Sequence, residues 1–360
     1  MLKKLDIFII KKFLGTFFFT LLLIICIVIV FDISEKLEDF IERHAPLRAI
    51  AFDYYLNFIP YFANMFSPLF IFISVIFFTS KMAGNSEIVA ILASGVSFNR
   101  FLRPYMICAS FLAVISFYLN NFMIPDANKK RLEFEEVYYR NKFRNISQNI
   151  HMQIDKSTYI YMTNFVVDMN MGNNFSIERF DDDGKLEYKL LSDNVTWDSI
   201  NNQWTINNYV ERYIDGLNET IKKGARKDTV INLKPEEFKR RTSFITTMDM
   251  FELDAFIEEA KFKGSKQIVN YEIEKHQRGA YPFATFVLTL IGVSISSRKV
   301  RGGIGMHIGL GLVISFSYIM FMQVSSTFAV NSGAPAMLAV WIPNVVYTLL
   351  ALYLLKKAPK

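Results

Sequence analysis

Six apolar runs divide this chain into two sets of three around a polar block, and that layout commits it to a membrane fold before any motif is weighed. Residues 13–31, 54–79 and 104–124 come before the block; residues 280–296, 304–328 and 335–355 follow it. Each is of the length that crosses a hydrocarbon core of about 30 Å at about 1.5 Å rise per residue. With 52% hydrophobic residues and 35 Phe, the composition is too apolar for a soluble chain and too polar for spans alone, so the middle block must be a folded domain. The first run exceeds a signal-peptide core and lacks a small-x-small cleavage site after Phe31, and it reads as a retained helix.

Short loops keep Lys and Arg on the cytoplasmic side. Lys3, Lys4, Lys11 and Lys12 flank the first span; Lys81, Arg100 and Arg103 lie between the second and third; Arg298, Lys299 and Arg301 lie between the fourth and fifth; Lys356, Lys357 and Lys360 follow the last. Six spans place all four clusters on one side. The loop after the first span is net acidic, which puts both termini in the cytoplasm and the middle block outside. The net charge of +6 is then an orientation signal, and because the basic residues are dispersed it gives no footprint for nucleic acid.

Between residues 148 and 233, seven short β-prone stretches alternate with turn residues: 149–155, 158–163, 175–180, 185–191, 194–197, 203–207 and 210–214. This spacing suggests a sandwich or open barrel. Asp249 and Glu252 form a capping box for a following helix that Gly264 ends, and a further helix leads into the fourth span. The segments are therefore 1–124 with three spans, 125–278 with the outer domain, and 279–360 with three more spans.

Enzyme signatures are missing. No G-x-x-x-x-G-K-[ST] is present, the four histidines are scattered without ligand spacing, and G-x-S-x-G is absent, so the chain carries no ATPase site, metal site or cofactor motif. No Asp, Glu, Lys or Arg interrupts the span interiors, which disfavours an ion-driven carrier.

Residues 85–97, Asn-Ser-Glu-Ile-Val-Ala-Ile-Leu-Ala-Ser-Gly-Val-Ser, predict a short amphipathic helix. Ser86 caps it, Glu87 favours its first turn, Ile88, Ile91 and Leu92 form an apolar face, and Gly95 ends it. Such a helix either docks in a groove of a soluble partner or lies in the head-group region. Gly305 and Gly309 form a G-x-x-x-G that permits close helix approach, within this chain or to a second subunit. Basic residues on the outer side are candidates for lipid phosphates: Lys36, Arg43, Lys275 and Arg278, with Lys36 first although acidic residues flank it.

The segment Ser86-Glu87-Ile-Val-x-x-x-Ala93-Ser94-Gly95-x-Ser97, between spans two and three of a six-span chain with an outer β domain, resembles the LptF/LptG (YjgP/YjgQ) lipopolysaccharide export permease family, LptG more closely. Pro60, Pro68, Pro104, Pro125 and the loop 298–303 fit the same layout, which covers the whole chain. The resemblance implies an α-helical membrane protein with six transmembrane helices and an inserted periplasmic β-jellyroll-like domain in a Gram-negative inner membrane. It also implies a non-enzymatic ABC transporter permease paired with a paralogous subunit as a heterodimer, an LptB-type ATPase dimer, LptC/LptA-type bridge proteins and lipopolysaccharide drawn from the membrane lipid. By position, Glu87 becomes the ATPase-coupling carboxylate, with Ser86, Ile88, Ile91, Leu92 and Gly95 shaping the docked helix. A membrane-anchored periplasmic sensor or scaffold, or an ABC permease for another glycolipid, are the alternatives.

Overall fold

The computed structural model describes residues 3–139, 148–239, 241–300 and 303–358; Arg301, Gly302 and Lys360 lie outside them. The chain forms two compact units. One comprises Met1–Arg140, Ile245–Leu253 and Val269–Lys360; the other comprises Asn141–Phe244 and Asp254–Ile268.

Six helices of the first unit are long and apolar enough to span a membrane: α1 (Lys4–Glu42), α2 (Leu47–Gly84), α4 (Phe98–Tyr138), α6 (Ile268–Ser296), α7 (Gly303–Ser332) and α8 (Ala336–Lys357). A short α3 (Glu87–Ala93) connects α2 to α4. The helices overrun the apolar runs. At about 1.5 Å per residue the 39 residues of α1 reach about 58 Å, well beyond a hydrocarbon core of about 30 Å. The acidic stretch read as a loop, with Asp32, Glu35, Glu38 and Asp39, is its last turns. Likewise α4 continues through Pro125 to Tyr138. A π-helical stretch, Leu119–Met123, ends two residues before that proline and widens the turn where its missing N–H would otherwise break the ladder.

The core has two lobes, and α2 belongs to both. Its Ile71, Val75, Phe78 and Met82 pack with Ile9, Phe13 and Tyr105 of α1 and α4. From the adjacent face, Phe72 and Ile76 pack with Ala284, Leu288, Tyr318 and Val340 of α6 to α8. The span asparagines are paired inside: Asn64 donates to Asn120 at 2.7 Å, and Asn344 accepts from Tyr318 at 3.0 Å.

The second unit is built on one antiparallel sheet in meander order: β1 (Gln148–Gln153), β2 (Thr158–Val166), β3 (Met171–Phe180), β4 (Leu186–Asp198), β5 (Gln203–Asp215) and β6 (Asn218–Thr229). The inserted all-β domain is thus present, with six strands instead of seven expected. Stretches 185–191 and 194–197 are one strand, as are 203–207 and 210–214, because the intervening polar residues continue the ladder. Strand β6 lies outside the expected strands because its sequence, Asn-Glu-Thr-Ile-Lys-Lys-Gly-Ala-Arg-Lys-Asp-Thr, has almost no apolar alternation, and it is mostly exposed. One face of the sheet buries Ile160, Met162, Phe175, Leu190 and Trp204 against Leu233 and Phe238 of the following segment, with Trp204 Nε1 donating to the Leu233 carbonyl at 2.9 Å. That apolar face is a filled core.

Helix α5 (Met250–Phe262) begins as the sequence indicates. Asp249 Oδ1 accepts from the amides of Phe251 and Glu252, Glu252 reciprocates with the Asp249 amide at 3.1 Å, and Gly264 after its end has φ +68°.

Candidate functional site

Helix α3 is keyed into one end of the helical unit. Ile88 is 1% exposed in the same apolar cluster as Ile9, Met82, Phe98 and Ala358, with Ile91 and Leu92 packed against it. Both chain ends and residues 85–97 therefore gather at one end of the bundle. Helical periodicity then turns Ser86, Val89, Ala90 and Ala93 outward as an exposed ridge of small side chains. Glu87 is half-buried beside them and accepts a hydrogen bond from Asn85 Nδ2 at 3.1 Å.

The ends of α3 differ from each other in how far they were foreseen. Gly95 has φ +88°, a left-handed conformation that suits glycine after a helix, and its amide reaches the Leu92 carbonyl. Ser86, by contrast, stands at the N-cap with φ 60° and its hydroxyl makes no capping bond. The expected serine cap is therefore corrected: the left-handed turn that joins α2 directly to α3 aims the side chain away from the free amides. Ser97 caps the next helix instead, accepting from the Arg100 amide at 3.3 Å.

Beside α3, Asp6 and Arg100 form a two-pronged ion pair at 2.7 Å for each prong. Asp6 also accepts the Lys3 amide at 2.8 Å and is 2% exposed. This pair fastens the first turn of α1 to the first turn of α4, immediately after the α3 segment. Nothing in the sequence pointed to it, since its members are 94 residues apart and each looks like a loop charge.

The cations expected to face lipid are placed very differently. Lys36 is buried at 8% exposure, donating to Asp32 Oδ1 at 2.7 Å and to the Tyr54 hydroxyl, over the rings of Tyr54 and Tyr139 at 4.7 and 4.8 Å. Tyr55 donates to the other Asp32 oxygen at 3.0 Å. Arg278 is 5% exposed and donates to the carbonyls of Met248 and Ile245 and to Glu274. Arg43 is half-buried and Lys275 is exposed.

The glycines of α7 divide by face. A methyl group on Gly305 or Gly309 would meet nothing within 4 Å, whereas one on Gly311 would collide with Ile76 Cδ1. Internal close packing thus belongs to Gly311, with Gly292 of α6 against Val75 and Phe72, while the G-x-x-x-G is left uncovered by the other described residues. Helices α1 and α7 are also the least covered spans. In their most apolar windows 11% and 22% of residues are buried, against 67% in α6.

Residues 7–357 match the family model described as "Lipopolysaccharide export system permease LptF/LptG". No curated protein matches the chain.

Proposed function

We propose that this chain, which belongs to the lipopolysaccharide export permease family LptF/LptG, is the mechanical subunit of an ATP-driven exporter: it couples ATP hydrolysis in a partner to withdrawal of lipopolysaccharide from a Gram-negative inner membrane. Withdrawing acyl chains costs roughly 0.8 kcal/mol per CH₂, so the energy comes from a cycle this chain does not itself run. The end bearing both termini, α3 and the basic loops lies in the cytoplasm, and the sheet unit lies in the periplasm, where it passes the lipid to bridge proteins of the LptC/LptA type.

The observation that carries this reading is the seating of α3. Its apolar side is locked into the ends of the spans, so force on it reaches them, while the outward ridge of Ser86, Val89, Ala90 and Ala93 offers a flat surface to a partner. The same ridge disfavours a helix that merely lies in the head groups, because little apolar bulk remains to insert. Glu87, beside the ridge, contacts the ATPase dimer. The uncovered faces of α1 and α7, with Gly305 and Gly309, receive the paralogous subunit and border the lipid's path. Lys275, exposed on α6, is a lipid-phosphate contact, and Lys36 becomes one only when Asp32 releases it.

Purification in mild detergent tests the proposal. The chain brings down a P-loop ATPase and lipopolysaccharide, and Glu87→Ala loses the ATPase while the paralogous subunit stays. Recovery of a kinase or protease in place of an ATPase would point to a sensor and overturn the reading. Undiminished lipid crosslinking in Lys36→Glu would remove Lys36 from the lipid contacts.

A further inference from the structure

The sheet's second face, opposite the filled core, carries a groove of about 560 Å³ that no part of the export reading uses. Its floor crosses β1 to β5. One row runs along the registers His151↔Tyr161, Tyr161↔Ser176, Ser176↔Leu191 and Leu191↔Val210, and a second follows Glu178↔Lys189. His151 and Tyr161 present their rings side by side, with centroids 4.7 Å apart.

Next to these rows the sheet is creased. Paired positions on both sides, Phe175↔Ser192 with Asn173↔Asn194 and Ser192↔Tyr209 with Asn194↔Asn207, bracket Asn174, Asp193 and Asn208 in one line. Asn174 and Asn208 have φ of 50°, a left-handed conformation inside a strand. Side chains other than glycine seldom hold such a conformation inside a strand, and such positions gather at ligand clamps. The crease turns both amides into the groove: Asn174 Nδ2 donates to Thr163 Oγ1 at 3.1 Å, and Asn208 Nδ2 donates to Asp193 Oδ2 at 3.0 Å. Each amide is thereby oriented with its carbonyl oxygen and a second N–H left to offer.

The charge and polarity of the lining select among ligands. Glu178 and Lys189 neutralise each other at 2.7 Å, which leaves Asp193 as the net charge and opposes a phosphate. An acyl chain would strip water from Asp193 and two amides without replacing their hydrogen bonds. A polyhydroxylated ring suits the lining: its apolar C–H face lies on Tyr161 and His151, and its hydroxyls donate to the Asp193 carboxylate and exchange hydrogen bonds with Asn174, Ser176 and Asn208, which both donate and accept.

We propose that this face of the sheet unit is a saccharide-binding groove, which engages the sugar portion of the glycolipid while its acyl chains are held elsewhere. The choice of sugar rests on the export reading; the groove does not. The test uses the full chain in its purified detergent complex. The probe is lipid-free oligosaccharide released by mild acid from the host's lipopolysaccharide, observed by saturation-transfer NMR. Transfer to ring protons is expected with the native chain, with binding at least about tenfold weaker in Tyr161→Ala and in the Asn174→Gly/Asn208→Gly pair. The glycines tolerate the positive φ and so spare the fold. Equal binding by the native chain and both variants, or no transfer while intact lipopolysaccharide still co-purifies, overturns the groove and leaves the export reading standing. Absence of both the oligosaccharide and intact lipopolysaccharide from the complex would instead sink the export reading along with its sugar.

Discussion

Arg100→Ala is the most informative single perturbation of the helical unit, because it leaves Asp6 buried without its cation. In the intact protein the carboxylate is 2% exposed, and both its oxygens are held at 2.7 Å by the guanidinium. Breaking a buried ion pair on one side costs about 3–5 kcal/mol. The Arg100 side chain is itself 26% exposed and the pair lies at the end of the bundle, so water repairs much of the loss and the cost falls below that range, to about 1–3 kcal/mol for a stranded acceptor. The asymmetry of such pairs supplies the stronger check. Adding Asp6→Asn to Arg100→Ala removes the stranded charge but keeps an acceptor for the Lys3 amide, and it restores about 1 kcal/mol or more. Unfolding in mixed micelles with increasing SDS, followed by circular dichroism, measures both quantities. A loss below about 0.5 kcal/mol for Arg100→Ala, the range of an exposed pair, would refute the clamp. A double variant less stable than the single one would refute the stranded-charge argument.

The two glycine faces give two further outcomes. Gly292→Ala drives a methyl against Val75 and the Phe72 ring and destabilises the chain by about 1–3 kcal/mol, whereas Gly311→Ala meets only the movable Cδ1 of Ile76 and costs less, both read in the same micelle titration. Under the proposed export function, Gly309→Leu leaves that titration unchanged and weakens recovery of the proposed second subunit; full recovery would remove the glycine face from that interface. In the sheet unit, burial by itself raises the Glu211 carboxyl, but hydrogen bonds from Lys227 and Tyr188 together with the Lys227 charge outweigh it and hold it below the usual glutamate range. Its contribution is therefore full at neutral pH. It fades as acid is added below the ordinary value of about 4.3 and is lost once the depressed folded value is passed. Glu211→Gln flattens that part of the acid dependence, as measured by hydrogen exchange of β4 to β6 amides in the full chain.

The spans, the inserted strands, the α5 cap and the left-handed Gly95 were all legible from residue order, because each depends on a property of neighbouring residues: apolar length, alternation, a side chain three positions from a free amide, or a missing Cβ. Strand β6 was illegible for the same reason. Its polar residues are held by pairing with β5, which supplies what its own pattern lacks. Helix α3 lies between these cases. Its existence and apolar face were evident, but the direction of that face was not, and Ile88 turned out to anchor the helix to its own bundle.

The sequence by itself determined how many times the chain crosses the membrane, where the domain is inserted and which residues are charged. Tertiary structure alone decided what those charges do. Lys36 and Arg278 looked like free cations and are buried among acceptors, Asp6 and Arg100 found each other across 94 positions, and His307 reaches Ser80 across 227. The physical reason is that helix and strand formation follow local backbone and solvation preferences. The cost of a buried polar group, in contrast, is set by whichever distant segment comes within hydrogen-bond reach, and separation along the chain carries no record of that distance.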